Sequence, residues 1–209
     1  MLATGVMIRS QGVDLAGELS VPPNATRLVV FVHGSGSGRM SPRNRRVAHA
    51  LNRAGFATLL FDLLAEAEEG ARAAVFDIPL LASRLDGVLS WLANRVDVGS
   101  MVVGLFGAST GAAAALTSAA EPGASIGAVV SRGGRPDLAA AALPQVTAPT
   151  LLVVGGDDGV VLELNRSAAD LLRCEHRLVV VPGATHLFEG PGALEAVSVE
   201  AIRWFDEHL

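Results

Sequence analysis

Six continuous apolar runs, all but one followed by a helix-like stretch, restrict this chain more than any other feature. They are Leu28 to Val32, Thr58 to Phe61, Met101 to Phe106, Ala128 to Ser131, Thr150 to Val154 and Leu178 to Val181. Runs that are apolar at every position, rather than at every second one, suit strands covered on both faces, as parallel strands between helices are. Helix-like segments follow at Arg43 to Arg53, Ile78 to Asn94, Thr110 to Ala120, Leu162 to Arg173 and Gly192 to His208. After the fourth run there is only a loop and a short Ala-rich piece. Ahead of them all, Val6 to Arg9 and Val13 to Ser20 alternate in polarity about Ser10-Gln11-Gly12 and read as an antiparallel hairpin. The pattern predicts an α/β architecture: a mostly parallel, doubly wound sheet of about eight strands with the hairpin added at its edge. Residues 1–209 are read as a single domain, a length at which roughly 70% of the unfolded surface is buried.

Charge and cysteine content narrow the function classes. The sixteen basic residues are all Arg, and the net charge of −5 leaves no basic surplus for a phosphate backbone, so nucleic acid is not expected as a partner. Cys174, the single cysteine, cannot form an internal disulfide and is expected at the end of a helix facing the core, which suits a reducing compartment. No apolar segment reaches the roughly 18 residues of a membrane span, and Met1 to Gly5 carries no leader pattern. A cytoplasmic protein with no membrane association is expected. The acidic stretch Ala65 to Gly70 reads as a solvated loop.

In parallel sheets ligands gather beyond the carboxyl ends of strands, so the chemistry is sought in loops directly after the apolar runs. Gly107-Ala108-Ser109-Thr110-Gly111 matches G-x-S-x-G and lies between a buried strand and an Ala-rich helix. A strand turning abruptly into a helix forces the serine into a strained backbone and exposes its hydroxyl near a helix N-terminus. A serine hydroxyl needs a base, and that base needs an acid to hold its tautomer. Of five histidines, His49 falls in a helix, His176 in the turn before the last strand and His208 beside the last residue; His186 follows a strand and is the candidate base. Asp157 and Asp158 both follow the fifth run, with Asp137 as a third candidate acid. The order Ser, Asp, His is itself that of one particular fold.

The loop Val32-His33-Gly34-Ser35-Gly36-Ser37-Gly38 is placed to supply an oxyanion hole, with the amides of Ser35 and Thr110 as donors, Gly36 against the substrate and His33 bracing the loop. Its glycine spacing departs from a dinucleotide fingerprint. No His, Cys and carboxylate cluster at ligand spacing is evident, and neither metal nor organic cofactor is expected. Arg132, leaving the fourth run, carries two readings: a brace paired with Asp137 or Asp157, or a two-point contact to a substrate carboxylate.

Together these residues resemble the α/β-hydrolase superfamily, and the short chain without a cap domain looks most like its dienelactone hydrolase-like branch. The resemblance spans nearly the whole chain and rests on His33-Gly34, the turn at Ser109, Gly155-x-x-Asp158-x-x-Val161 and His186 before the final helix. It implies that Asp158 is the acid. Dienelactone hydrolases proper use a cysteine where this chain has Ser109, so small esters or lactones, rather than dienelactone itself, are the implied substrates. Other acyl chemistry on the same residues (acyl transfer, carbon–carbon hydrolysis, perhydrolysis) and a non-catalytic binding protein on the same scaffold are the alternatives.

Overall fold

The computed structural model describes residues 3–65, 67, 68 and 73–209. An eight-stranded sheet forms, with β1 (Thr4–Ser10), β2 (Val13–Ser20), β3 (Arg27–Val32), β4 (Ala57–Phe61), β5 (Val102–Ala108), β6 (Ile126–Arg132), β7 (Thr150–Gly155) and β8 (His176–Val181). The spatial order is β1-β2-β4-β3-β5-β6-β7-β8. The hairpin β1–β2 is antiparallel and pairs antiparallel with β4, and every other pairing is parallel. The expected doubly wound sheet is therefore the one formed.

Alternation within the apolar runs explains why both faces are covered. Leu28, Val30 and Val32 of β3 face one layer with Leu105, Val129 and Leu152, packed by α2 (Ile78–Ala93), α3 (Thr110–Ala119) and α4 (Gly159–Leu171). Val29 and Phe31 face the other with Phe106, Val130 and Val153, packed by α1 (Pro42–Arg53) and α5 (Ala193–His208). The Phe31 and Phe106 rings lie 4.9 Å apart on that side. Buried Arg84 of α2 ties the hairpin turn down, donating to the Ser10 and Gln11 carbonyls at 2.9 and 3.1 Å and pairing with Glu68 at 2.8 Å.

Several boundaries differ from the sequence reading. His176 opens β8, because its pairing with Thr150 extends that strand, and is not in a turn. Helix α4 begins at Gly159 and stops at Leu171 as Leu172 turns extended (ψ 133°), so Cys174 lies beyond the helix. Its thiol is half-buried, 3.8 Å from Thr150 Oγ1, and burial pushes its pKa up. The Ala-rich piece after β6 forms two 3-10 turns, Pro136–Ala139 and Leu143–Gln145. The acidic stretch Ala65 to Gly70 lies partly outside the described residues. Among the described residues no helix is long and apolar enough to cross a membrane.

The order β4-β3-β5 reverses chain direction across the sheet at β3, and the crevice beyond such a reversal is where open α/β sheets bind ligands. The loops after β3 and β5 meet there.

Candidate active site

Ser109 is the single residue between β5 and α3, and the turn that this demands sets its backbone at φ 51°, ψ −122°. Left-handed φ is costly for serine, and the flanking glycines make the turn possible. A Cβ on Gly107 would lie 2.4 Å from Ala112 Cα, and one on Gly111 would lie 2.2 Å from the Val32 carbonyl oxygen. The Ser109 N–H donates to the Arg132 carbonyl at 3.3 Å, and its carbonyl accepts from Ala112 N and Arg135 N at 3.1 Å each. The half-buried serine is thereby pinned to the end of β6 and to the loop that follows it.

Between Asp157 and Asp158 the geometry selects one. Asp158 Oδ2 lies 2.7 Å from His186 Nδ1, with the Asp158 side chain 15% exposed and that of His186 38%. Asp158 also stands at the N-cap of α4, where an aspartate ordinarily accepts a backbone N–H, yet it makes no side-chain cap bond. Its carboxylate is turned to the histidine instead. Exposed Asp157 is held only through its backbone, donating to the Ala184 carbonyl at 3.0 Å. Asp137 is taken by Arg135 in a two-point pair at 2.8 and 2.7 Å. His186 Nδ1 therefore donates to Asp158, which leaves Nε2 as the nitrogen free to accept a proton. The Ser109 hydroxyl is not hydrogen-bonded to Nε2 in this resting arrangement; such contacts commonly tighten only when substrate is bound.

The loop after β3 is braced as expected of His33. Its Nε2 accepts from Leu63 N at 2.9 Å and its Nδ1 faces the Gly34 carbonyl at 3.0 Å, which places the ring proton on Nδ1. Asp62 adds a second brace by accepting from the Arg39 backbone N–H at 2.7 Å and pairing with its guanidinium. The Asp62 signal was present in the sequence, since it directly follows an apolar run. Of the two expected oxyanion donors, Thr110 N–H belongs to the first residue of α3 and has no intrahelical acceptor. Ser35 N–H is engaged, donating to Thr110 Oγ1 at 3.0 Å. Gly36 sits with φ 67° in the same loop, on the wall of a cleft of about 640 Å³ that also takes in Thr110, Arg43, Asp62, Val75 and Leu81.

The pairing expected for Arg132 is not formed. Asp137 is held by Arg135, and no acidic side chain among the described residues reaches the Arg132 guanidinium; its one polar contact is Nη2 to Asn44 Oδ1 at 3.5 Å. The guanidinium lies 5.8 Å from the ring of Phe188, itself buried at φ 55° two residues after His186. Sequence reasoning passed over Asn44, Arg43 and Phe188, which carry no motif. One cluster with metal-ligand spacing occurs among the described residues, Glu175, Glu207 and His208, at the opposite edge of the sheet from Ser109.

Comparison with known proteins identifies the family. The model of the Dienelactone hydrolase family matches residues 15–202. A dienelactone hydrolase from Anabaena variabilis superposes with a TM-score of 0.97 at 52% identity, covering 100% of this chain and 98% of that one. An alpha-beta serine hydrolase homologue from Coxiella burnetii shares the fold at 20% identity, with a TM-score of 0.82 and 97% of each chain covered. Among curated proteins, one from Mycobacterium tuberculosis named "Putative phosphoribosyl transferase" is 59% identical over 204 residues, which are 98% of this chain and 46% of that protein. The chain thus spans about half the length of the curated relatives it matches. By the extent of the family match and the likeness to the Anabaena enzyme, the chain belongs to the dienelactone hydrolase family of α/β hydrolases.

Proposed function

We propose that this chain is a serine hydrolase that cleaves small carboxylic esters or lactones through an acyl-enzyme on Ser109. The observation that carries the reading is the 2.7 Å pair between His186 Nδ1 and Asp158 Oδ2, set at the same carboxyl edge of the sheet as a serine in a strained turn. Asp158 fixes the imidazole tautomer, and His186 Nε2 takes the proton of Ser109 Oγ as that oxygen attacks the acyl carbonyl. The charge that develops on the carbonyl oxygen is met by the Thr110 and Ser35 N–H groups, the latter leaving Thr110 Oγ1 to do so. The C–O bond of the ester breaks with the His186 proton delivered to the leaving alkoxide. Water, deprotonated by His186, then attacks the acyl-enzyme and returns Ser109. None of these steps calls for a metal or an organic cofactor.

Acyl transfer, carbon–carbon hydrolysis and perhydrolysis would use the same intermediate and differ only in what attacks or leaves. The transferase name of the mycobacterial relatives describes a protein of which this unit is less than half, and the residues set out above are suited to acyl chemistry. Labelling by a fluorophosphonate probe, together with turnover of p-nitrophenyl acetate, tests the proposal. Ser109→Ala is expected to abolish labelling and to lower turnover by at least roughly 10³-fold. A variant that keeps most of its activity, or a parent that neither labels nor turns over, refutes it; the second result leaves a binding protein on a hydrolase scaffold.

A further inference from the structure

Arg132 is a buried cation without a counter-charge. It ends β6 on the sheet face that carries α1 and α5, is 8% exposed, and its Nε is buried with no hydrogen-bond partner. Burial, with the positive charge of Arg43 added, lowers its pKa to about 10. Arg43, the second residue of α1, has an Nε that is likewise buried and unpartnered. Its nearest acid is Glu189, 3.7 Å away with a side chain 65% exposed, a pairing that solvent screens. The first turn of α1 contains no acidic residue, so its positive end is not neutralised locally. A buried charge lacking a partner is costly, and two of like sign side by side are costlier. Such an arrangement is retained where a ligand brings the missing charge.

We propose that Arg132 and Arg43 form a binding site for a phosphoryl group carried by the substrate, at the α1 side of the catalytic cleft. The site adjoins the chemistry: Arg43 lines the same cleft as Ser35 and Thr110, and the Arg132 carbonyl accepts the Ser109 N–H. Arg132 is uncompensated and Arg43 only partly compensated by exposed Glu189, a surplus that a dianion neutralises more fully than a single carboxylate. Guanidinium suits two-point contacts with the tetrahedral oxygens of such a group. Arg132 meets α1 at Asn44, the residue after Arg43, with its Nη2 3.5 Å from Asn44 Oδ1, and the Phe188 ring lies 5.8 Å from its guanidinium. This inference rests on Ser109 as the nucleophile only in placing the ligand beside it. The substrate class it names is a small ester or lactone that also bears a phosphate.

The test uses inorganic phosphate as probe, with acetate and chloride at matched ionic strength, read by melting temperature and by competition against p-nitrophenyl acetate. Phosphate is expected to raise the melting temperature and to inhibit competitively, with acetate weaker by about tenfold or more. Arg132→Met should lose the phosphate response and, without phosphate, melt higher than the parent because the unpaired charge is gone; a brace would melt lower. Arg43→Gln should weaken phosphate by about tenfold. If Arg132→Met does not fold, Arg132→Lys keeps the charge but not the two-point geometry and should show the same weakening. No melting response to phosphate in the parent, a response better for acetate than for phosphate, or an unaltered response in the Arg132 variant overturns the proposal. The melting response needs no turnover, so loss of esterase activity or of probe labelling in the parent sinks the hydrolase reading separately.

Discussion

Replacing Thr110 by valine tests how the oxyanion donors are held before substrate arrives. Ser35 N–H donates to Thr110 Oγ1 at 3.0 Å, and Thr110 is 2% exposed, so water does not readily take the place of its hydroxyl. Valine keeps the β-branched shape and exchanges only that hydroxyl for a methyl. For Ser35 N–H to reach the oxygen of a tetrahedral intermediate, the bond to Thr110 must be given up. It therefore stabilises the ground state and not the transition state. A hydrogen bond of this kind has a net worth of about 0.5 to 1.5 kcal/mol. Its removal should lower the barrier by that amount and raise kcat/KM roughly 2- to 12-fold. The folded state loses the same bond, so a destabilisation of about 1 kcal/mol and a melting temperature lower by about 2–4 °C are expected in parallel. Steady-state kinetics on p-nitrophenyl acetate and thermal unfolding measure the two effects on one preparation. A fall in kcat/KM for Thr110→Val, with Thr110→Ser behaving as the parent, would show that the hydroxyl itself serves the transition state and would refute the argument.

Two further outcomes follow from particular contacts. Asp158→Asn should reduce turnover by about 10⁴-fold, as loss of the acid that orients a catalytic imidazole can, whereas Asp157→Asn should leave it within a few-fold because Asp157 acts only through a screened field; equal losses in steady-state assays would reassign the acid. Burial holds the Asp86 carboxyl above its ordinary range, with Glu121 adding to the shift and a Ser118 hydrogen bond opposing it. The native state thus binds that proton more tightly than the unfolded chain, and stability falls as pH rises from the ordinary aspartate value of about 3.9. Asp86→Asn should flatten that part of the stability curve and raise the melting temperature at neutral pH, and parallel curves for the two proteins would show the carboxyl to be no harder to ionise than in water.

The sheet was legible because burial on both faces leaves an unmistakable trace: Val29 and Phe31 feed one layer while Leu28 and Val30 feed the other, so no position in the run tolerates polarity. Element ends were less legible because they depend on pairing partners. His176 is a strand residue only because Thr150 lies opposite it, and no local propensity reports that. The turn at Ser109 was readable since its steric demands fall on immediate neighbours, Gly107 and Gly111. Choosing Asp158 over Asp157 came from the family resemblance and not from the residues, because adjacent carboxylates on one turn differ only in direction. The expected partner of Arg132 failed for a local reason: Arg135 lies two residues from Asp137 and captures it in a two-point pair, at less entropic cost than a more distant arginine would incur.

Places where local rules are broken locate the site without any motif. Among the described residues, four other than glycine have left-handed φ: Gln11, Asn24, Ser109 and Phe188. Gln11 lies in the tight hairpin turn, and Asn24 is of a type that tolerates the conformation. Ser109 and Phe188 have no such local reason; Ser109 directly follows β5, and Phe188 lies in the loop after β8 that carries His186. There too stand an N-cap aspartate that does not cap its helix, Asp158, and two arginines whose buried Nε atoms have no partner, Arg132 and Arg43. Each departure costs folding free energy, and only the rigid parallel core to which both loops are pinned allows them to persist together. Buried atoms without a partner also occur elsewhere, at Arg84 under the hairpin and at His208, but only at this edge do they coincide with a strained serine and an aspartate turned from its helix, so the shape and charge of this cleft are held against the local preferences of the chain.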